Sequence, residues 1–188
     1  ACEFVHNTAS SSGGAVRNCD GSFRAVNCLF AENNATSPTG GNTWGGALIN
    51  YGNSKACSAE LINCTFAGNS ARYGNGIVCD DNGDRFPSSV DLANCILADD
   101  GPKVRKYDAS TVAIRYCDVL GGSPQAVEPA SGLVWGRGNV STDPQFQIGD
   151  YRLSPGSPCI DSGDNAAFPS DIHMDCDGRP RIVDGKDD

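Results

Sequence analysis

Aromatic residues, cations and histidine are all scarce in this sequence. Phe, Tyr and Trp make up 7% of the 188 residues and there is one Met, so the core must be assembled from small and branched side chains. No stretch of useful length repeats apolar residues at the helical period, which argues against a helical bundle. No apolar run approaches the roughly 18 residues of a membrane-spanning helix. Lys and Arg number 14 against 23 Asp and Glu, for a net charge of -9, and the densest cationic cluster is Lys103, Arg105 and Lys106. A surface that tracks phosphates needs a larger cluster, so nucleic acid is not an expected partner. The two histidines, His6 and His173, have no Ser or Cys motif around them, and no Cys-x-x-Cys pair supplies zinc-ligand spacing.

Glycine (23 residues) is plentiful, Asn and Ser recur throughout, and there are ten cysteines. A hydrophobic content of 39% is enough to bury a core, and the turn-rich mix suits many short strands. So many cysteines are unusual in the cytosol, so a secreted, extracellular or cell-surface protein is expected.

A repeat organises the first two thirds of the chain. Aligned on Cys2, Cys28, Cys64, Cys95 and Cys117, the local pattern is constant while the spacings of 26, 36, 31 and 22 are not. Coils of a β-solenoid vary in this way because their loops bulge outward. Before each Cys, Phe23/Ala25, Ala59/Leu61, Val90/Leu92 and Val112/Ile114 alternate with the two-residue period of a strand with one buried face. From each Cys onward, Cys28/Phe30, Cys64/Phe66, Cys95/Leu97 and Cys117/Val119 alternate too, but out of phase with the first set. A one-residue slip would turn a straight strand inside out, so the chain must bend there and start a second sheet. Asn27, Asn63 and Asn94 occupy the bend, where Asn tolerates left-handed backbone and stacked copies can bond to one another; Tyr116 should end such a ladder.

A second bend is expected at Asn7, Asn33 and Asn69, three residues after Phe4, Phe30 and Phe66. Glycine-led segments, Gly13–Val16, Gly45–Leu48 and Gly74–Ile77, then open a third strand. The expected architecture is all-β: a right-handed parallel β-helix of about five coils over residues 1–125. An irregular, proline-rich segment, 126–188, then caps the last coil or docks along one side.

Phe-x-x-Asn followed by Gly-Gly-Ala-apolar resembles the repeat of chlamydial polymorphic outer-membrane proteins and related bacterial surface β-helices. It is met at Phe4–Asn7 and Phe30–Asn33, and at Phe66–Asn69 with a degenerate Gly74–Ile77, and the fourth copy (Leu97, Asp100) departs from it. The resemblance implies an exported β-helix passenger used for adhesion or surface structure. The tail, with Thr142-Asp-Pro-Gln-Phe146 and the Leu153-Ser-Pro-Gly-Ser-Pro-Cys-Ile-Asp161 run, is similar to the C-terminal segment of choice-of-anchor Q domain proteins.

Several groups are candidates for chemistry. The aligned cysteines form either an interior ladder of thiols or adjacent-coil disulfides, since stacked Cα atoms about 4.8 Å apart lie just within disulfide reach. Cys159–Cys176 would staple the tail, and Cys19–Cys57 is a weaker pairing. Asp171, Asp175 and Asp177 before Gly178, with Asp161 and Asp164 upstream, make calcium the one candidate cofactor, although no Glu closes a 12-residue loop. For polysaccharide chemistry the nearest arrangement is Asp99-Asp100 beside Arg105 and Lys106, with Asp80-Asp81 a second acidic pair. The Gly-His-Gly and Arg-x-Lys of polygalacturonase-like enzymes do not occur. Trp44, Tyr51 and Tyr73 flank the glycine-led strands as either a sugar-stacking face or coil-edge packing. Three function classes follow: a non-enzymatic structural subunit that self-associates head to tail into a surface filament, an adhesin that contacts host or matrix glycans, and a lyase or glycosidase.

Overall fold

The computed structural model describes residues 1–107, 109–122, 127–129, 132–175 and 177–180. Three five-stranded parallel sheets wrap the chain into a β-helix. Sheet I holds the strands before the thiol-centred bend: β4 (Ser22–Val26), β8 (Cys57–Ile62), β11 (Ser88–Ala93), β14 (Thr111–Arg115) and β17 (Leu133–Trp135). Sheet II follows the bend: β1 (Glu3–Val5), β5 (Leu29–Ala31), β9 (Thr65–Ala67), β12 (Ile96–Leu97) and β15 (Asp118–Val119). Sheet III holds the glycine-led strands: β3 (Val16–Cys19), β7 (Leu48–Gly52), β10 (Ile77–Asp81), β13 (Val104–Lys106) and β16 (Val127–Glu128). A minor pair, β2 (Thr8–Ala9) with β6 (Asn34–Ala35), extends the second corner.

The expected vertical line of cysteines is present. Leu29 pairs with Glu3 and Thr65, and Ile96 with Thr65 and Asp118, so the five preceding cysteines lie in one register. The carbonyls of Cys2, Cys28, Cys64 and Cys95 each accept from the backbone N–H one residue past the cysteine of the following coil, at 2.9–3.0 Å. Cys28, Cys64, Cys95 and Cys117 are buried, whereas Cys2 stands exposed at the first coil.

The phase slip has the expected cause. Asn27, Asn63, Asn94 and Tyr116 have φ of 55°, 52°, 54° and 50°, and each turns the chain from sheet I into sheet II. A left-handed residue with a Cβ costs about 1–2 kcal/mol, which Asn lessens through local hydrogen bonds and a β-branched residue cannot. Asn63→Val is therefore expected to lower stability by about 1–2 kcal/mol, and Asn63→Gly to be near neutral, in urea unfolding. Equal stability of the Val variant and the wild type would refute a bend of this kind.

Inside, each column continues through the coils. Phe4, Phe30 and Phe66 stack face to face with centroids 4.7 and 4.6 Å apart and planes within 3°; Leu97 and Val119 extend the same column, as the register dictates. Ala59, Leu61, Val90, Leu92, Val112 and Ile114 are at most 2% exposed, so the face assigned from the sequence is the core face. At the third corner Gly45 has φ 65°, and a Cβ on Gly46 would collide with the Asn75 carbonyl oxygen of the next coil. The first glycine turns the chain and the second admits the neighbouring coil.

Parallel pairing does not stop at residue 125. Val127 pairs with Val104, Leu133 with Val112, and Val140 bridges Asp118, so a partial sixth coil carries the stack to Val140. It was hidden because Asn139 stands where the earlier coils have Cys, and its Oδ1 accepts from the Cys117 N–H at 2.9 Å. The remaining tail docks along one side. A short antiparallel hairpin is closed at Phe146–Leu153, and Tyr151 donates its hydroxyl proton to Glu32 at 2.8 Å. The tail also covers the asparagine corner. Asn94 exchanges two hydrogen bonds with the Asp164 backbone at 2.8 and 3.0 Å, and Asn27 donates to the Met174 carbonyl at 3.0 Å.

Candidate functional site

A ladder of asparagines was expected at the first bend and only a turn at the second, and the structure reverses this. At the first bend only one rung links coils, Asn63 to Asn27 at 3.3 Å, because Asn27 and Asn94 turn outward to the tail. At the second bend the ladder is continuous and has a direction. Asn33 Oδ1 accepts from the N–H and Nδ2 of Asn7 at 3.0 and 2.9 Å, and Asn69 Oδ1 does the same for Asn33. Asn69 in turn donates to Asp99 Oδ1 from its N–H at 2.7 Å and from Nδ2 at 3.0 Å. The terminal rung is thus Asp99, two residues after Leu97, and not Asp100, because the fourth coil lacks the residue that Gly68 supplies in the third.

Asp99 is wholly buried, and its Oδ2 has no hydrogen-bond partner among the described residues. That oxygen and the Lys103 carbonyl oxygen crowd Gly76 so closely that no Cβ fits there. Burial pushes its carboxyl up to about 7, against the Asn69 hydrogen bonds and the Lys103 charge, which pull it down. Lys103, itself buried, donates to the Gly101 carbonyl at 3.0 Å.

This placement dissolves the arrangement expected for polysaccharide chemistry. Asp99 faces the interior corner and Asp100 is exposed. Lys106 is buried in register with Asn18, Asn50 and Cys79, while Arg105 lies on the opposite face of the same strand, over aromatic rings. Alternation along β13 separates the two cations. Asp81 is buried and accepts from the Asp84 N–H at 3.0 Å, a turn role, whereas Asp80 lies on the outer side.

The nine cysteines among the described residues are thiols. Cys19 and Cys57, expected as a pair, are both free; Cys57 instead donates to Asn50 Oδ1 at 3.0 Å. Cys159 is free as well and donates to Asp118 Oδ2 at 2.8 Å, so the expected staple to Cys176 is not what holds it; Cys176 lies outside the described residues. Hydrogen bonding with Cys64 and burial hold the Cys28 thiol far above its ordinary value, and burial does the same for Cys95. Burial also pushes Cys79 and Cys159 up to about 12. Thiols so protonated are poor nucleophiles and poor metal ligands.

Asp171, Asp175 and Asp177 do not converge, and no set of three or more metal-ligating side chains forms among the described residues. Asp175 Oδ1 is taken by the N–H groups of Asp177 and Arg179 at 2.8 Å each, and Asp177 pairs with Arg152 at 2.6 Å. A carboxylate committed to its own turn has no oxygen turned toward a shared centre. Between this part of the tail and sheet II lies an open cavity of about 460 Å³, lined by Leu29, Asn63, Ile96, Tyr151 and Arg152 among others.

The outer side of sheet III is the most chemically distinctive surface. Ser12, Trp44 and Tyr73 pair as successive parallel bridges on three coils, placing the Trp44 and Tyr73 ring centroids 6.2 Å apart. The Arg105 guanidinium lies 4.8 Å from the Tyr73 ring centre and 5.2 Å from that of Tyr107. Arg72 sits 5.7 Å from Tyr73, and Arg17 sits 5.8 Å from Tyr51. Burial raises the Tyr107 phenol, opposed by the Arg105 charge and the Trp44 indole. Trp44, Tyr51 and Tyr73 were legible in the sequence. Arg17, Arg72 and Tyr107 were not, and Arg105 was read beside Asp99 and Asp100 instead, because the loops between coils differ in length and hide the alignment. No family model, curated protein or solved structure matches the chain.

Proposed function

We propose that this chain is a non-enzymatic extracellular structural protein, a β-solenoid subunit that associates head to tail with further copies into a filament. The observation that supports this reading is the edge of the stack at its last coil, where β16 and β17 are each paired on one side only. There Leu133 and Trp135 continue the Val112 and Ile114 columns, and Trp135 stays 36% exposed. Parallel strand edges over an apolar interior are templates for pairing, and an edge that takes up a coil of another copy makes a heterologous contact that propagates without closing.

Electron microscopy and sedimentation of the purified chain test this reading. Filaments whose length grows with concentration are expected. Trp135→Glu, which puts a charge at the exposed end of an interior column without touching the inner coils, is expected to leave monomers of unchanged circular dichroism. Monodisperse wild-type particles at high concentration would overturn the reading.

A further inference from the structure

We propose that the outer face of sheet III binds an acidic polysaccharide, a chain of uronic acid residues lying along the stack axis. The inference is independent of the end-to-end association, since this face is lateral.

Two unlike features coincide there. The first is aromatic. Trp44 and Tyr73 stand on successive coils, half-buried and bridged by the backbone stacking that builds the sheet, and Tyr107, one coil further on, shares the Arg105 guanidinium with Tyr73. Sugar rings present flat C–H faces, and rigid aromatic rings with polar tips in water offer large contact area at little entropic cost. Because the platform is held by strand pairing, little ordering is lost when a ligand lands on it.

The second feature is charge. The chain carries -9 overall, yet Arg17, Arg72 and Arg105 gather on this one face. Arg105 already pairs with Glu128 at 2.8 Å, but neither Arg17 nor Arg72 takes part in an ion pair among the described residues. Arg17 gives one N–H to Ser12 Oγ at 3.3 Å. Both guanidinium groups lie against tyrosine rings, which orients the planar fork and leaves donors for a carboxylate to take in bidentate fashion.

A neutral glycan would satisfy the rings and leave the arginines unanswered, whereas a polyanion without rings would do the reverse. A uronic acid chain answers both. The register Arg17–Ile49–Val78–Arg105 covers three strand spacings. That is about 14 Å, enough for an extended oligosaccharide to touch all the coils involved.

The test is calorimetric titration of the full chain with oligogalacturonate, in parallel with dextran, dextran sulfate and polyglutamate. Binding of the oligogalacturonate is expected to exceed that of the other three. An Arg17→Gln/Arg72→Gln double variant is expected to bind about tenfold more weakly, the loss of a charge-assisted pair. Both side chains are exposed, so its melting temperature should not move. Tyr51→Ala should weaken binding in the same sense. No binding, or undiminished binding by the double variant, would overturn the proposal. Equal binding of polyglutamate would reduce the face to bare electrostatics. Equal binding of dextran would remove the charge argument, and tighter binding of dextran sulfate would remove the carboxylate assignment.

Discussion

Replacing Asp99 with Asn is expected to make the protein more stable at pH 8. The carboxyl is buried, one of its oxygens is unpartnered, and its pKa is held near 7 in the fold against an ordinary 3.8. Between those two values the folded chain binds a proton that the unfolded chain releases, so the stability contributed by this group falls as pH rises through that window. Below about pH 4 both states are protonated and the penalty vanishes; above pH 7 it is complete. A gap of about three pH units corresponds to about 4 kcal/mol as an order of magnitude. Asn keeps the Oδ1 that Asn69 donates to and removes the ionisation. Urea unfolding from pH 4 to pH 8 should show the wild type losing stability across the range and Asp99→Asn losing much less, so that the variant is more stable at the alkaline end by about 2–4 kcal/mol. A variant less stable than wild type at pH 8 would mean that the carboxylate is stabilised by something other than the contacts described.

Truncating Phe66 to Ala is expected to remove about 3–5 kcal/mol, a large share of the total stability of a domain of this size. Its ring is fully buried, stacks on Phe30 and sits over Leu97 in the register. Coils above and below are fixed by backbone pairing at constant spacing, so the site cannot collapse into the space left behind. Phe66→Leu should cost much less, because Leu97 already fills the equivalent position one coil on. Denaturant midpoints of the two variants decide this: a loss below about 1 kcal/mol for Phe66→Ala would show that the stack is loosely packed.

How far the sequence carried the fold follows from what each residue type signals locally. The core face and the bends at Asn27, Asn63 and Asn94 and at Asn7, Asn33 and Asn69 were legible because a small residue set recurs in fixed local order. The ladder was expected at the first of these bends and is continuous at the second, and its last rung at Asp99 was not foreseen, since nothing in Ala98-Asp99-Asp100 marks a deleted residue. The sixth coil was missed because Asn139 makes with its side chain the capping contact to Cys117. The tail could be read only as irregular: prolines forbid long strands, but which carbonyl meets Asn94 is a matter of three-dimensional fit. Of the lateral platform, Trp44, Tyr51 and Tyr73 were legible and the arginines beside them were not, for a related reason. Its rings and guanidinium groups come from loops and strands of unequal spacing, and only stacking brings them together.

The direction of the second ladder also constrains how such a molecule can lengthen. Asn33 and Asn69 each give protons to the coil after and take them from the coil before, so a duplicated coil inserted between Asn7 and Asp99 inherits a complete set of partners. Beyond Asp99 there is no such freedom, because an ionised carboxylate has no proton to pass on. Extension of this side-chain ladder by whole-coil duplication is therefore open on one side of that residue and closed on the other, while the backbone pairing runs on past it to Val140.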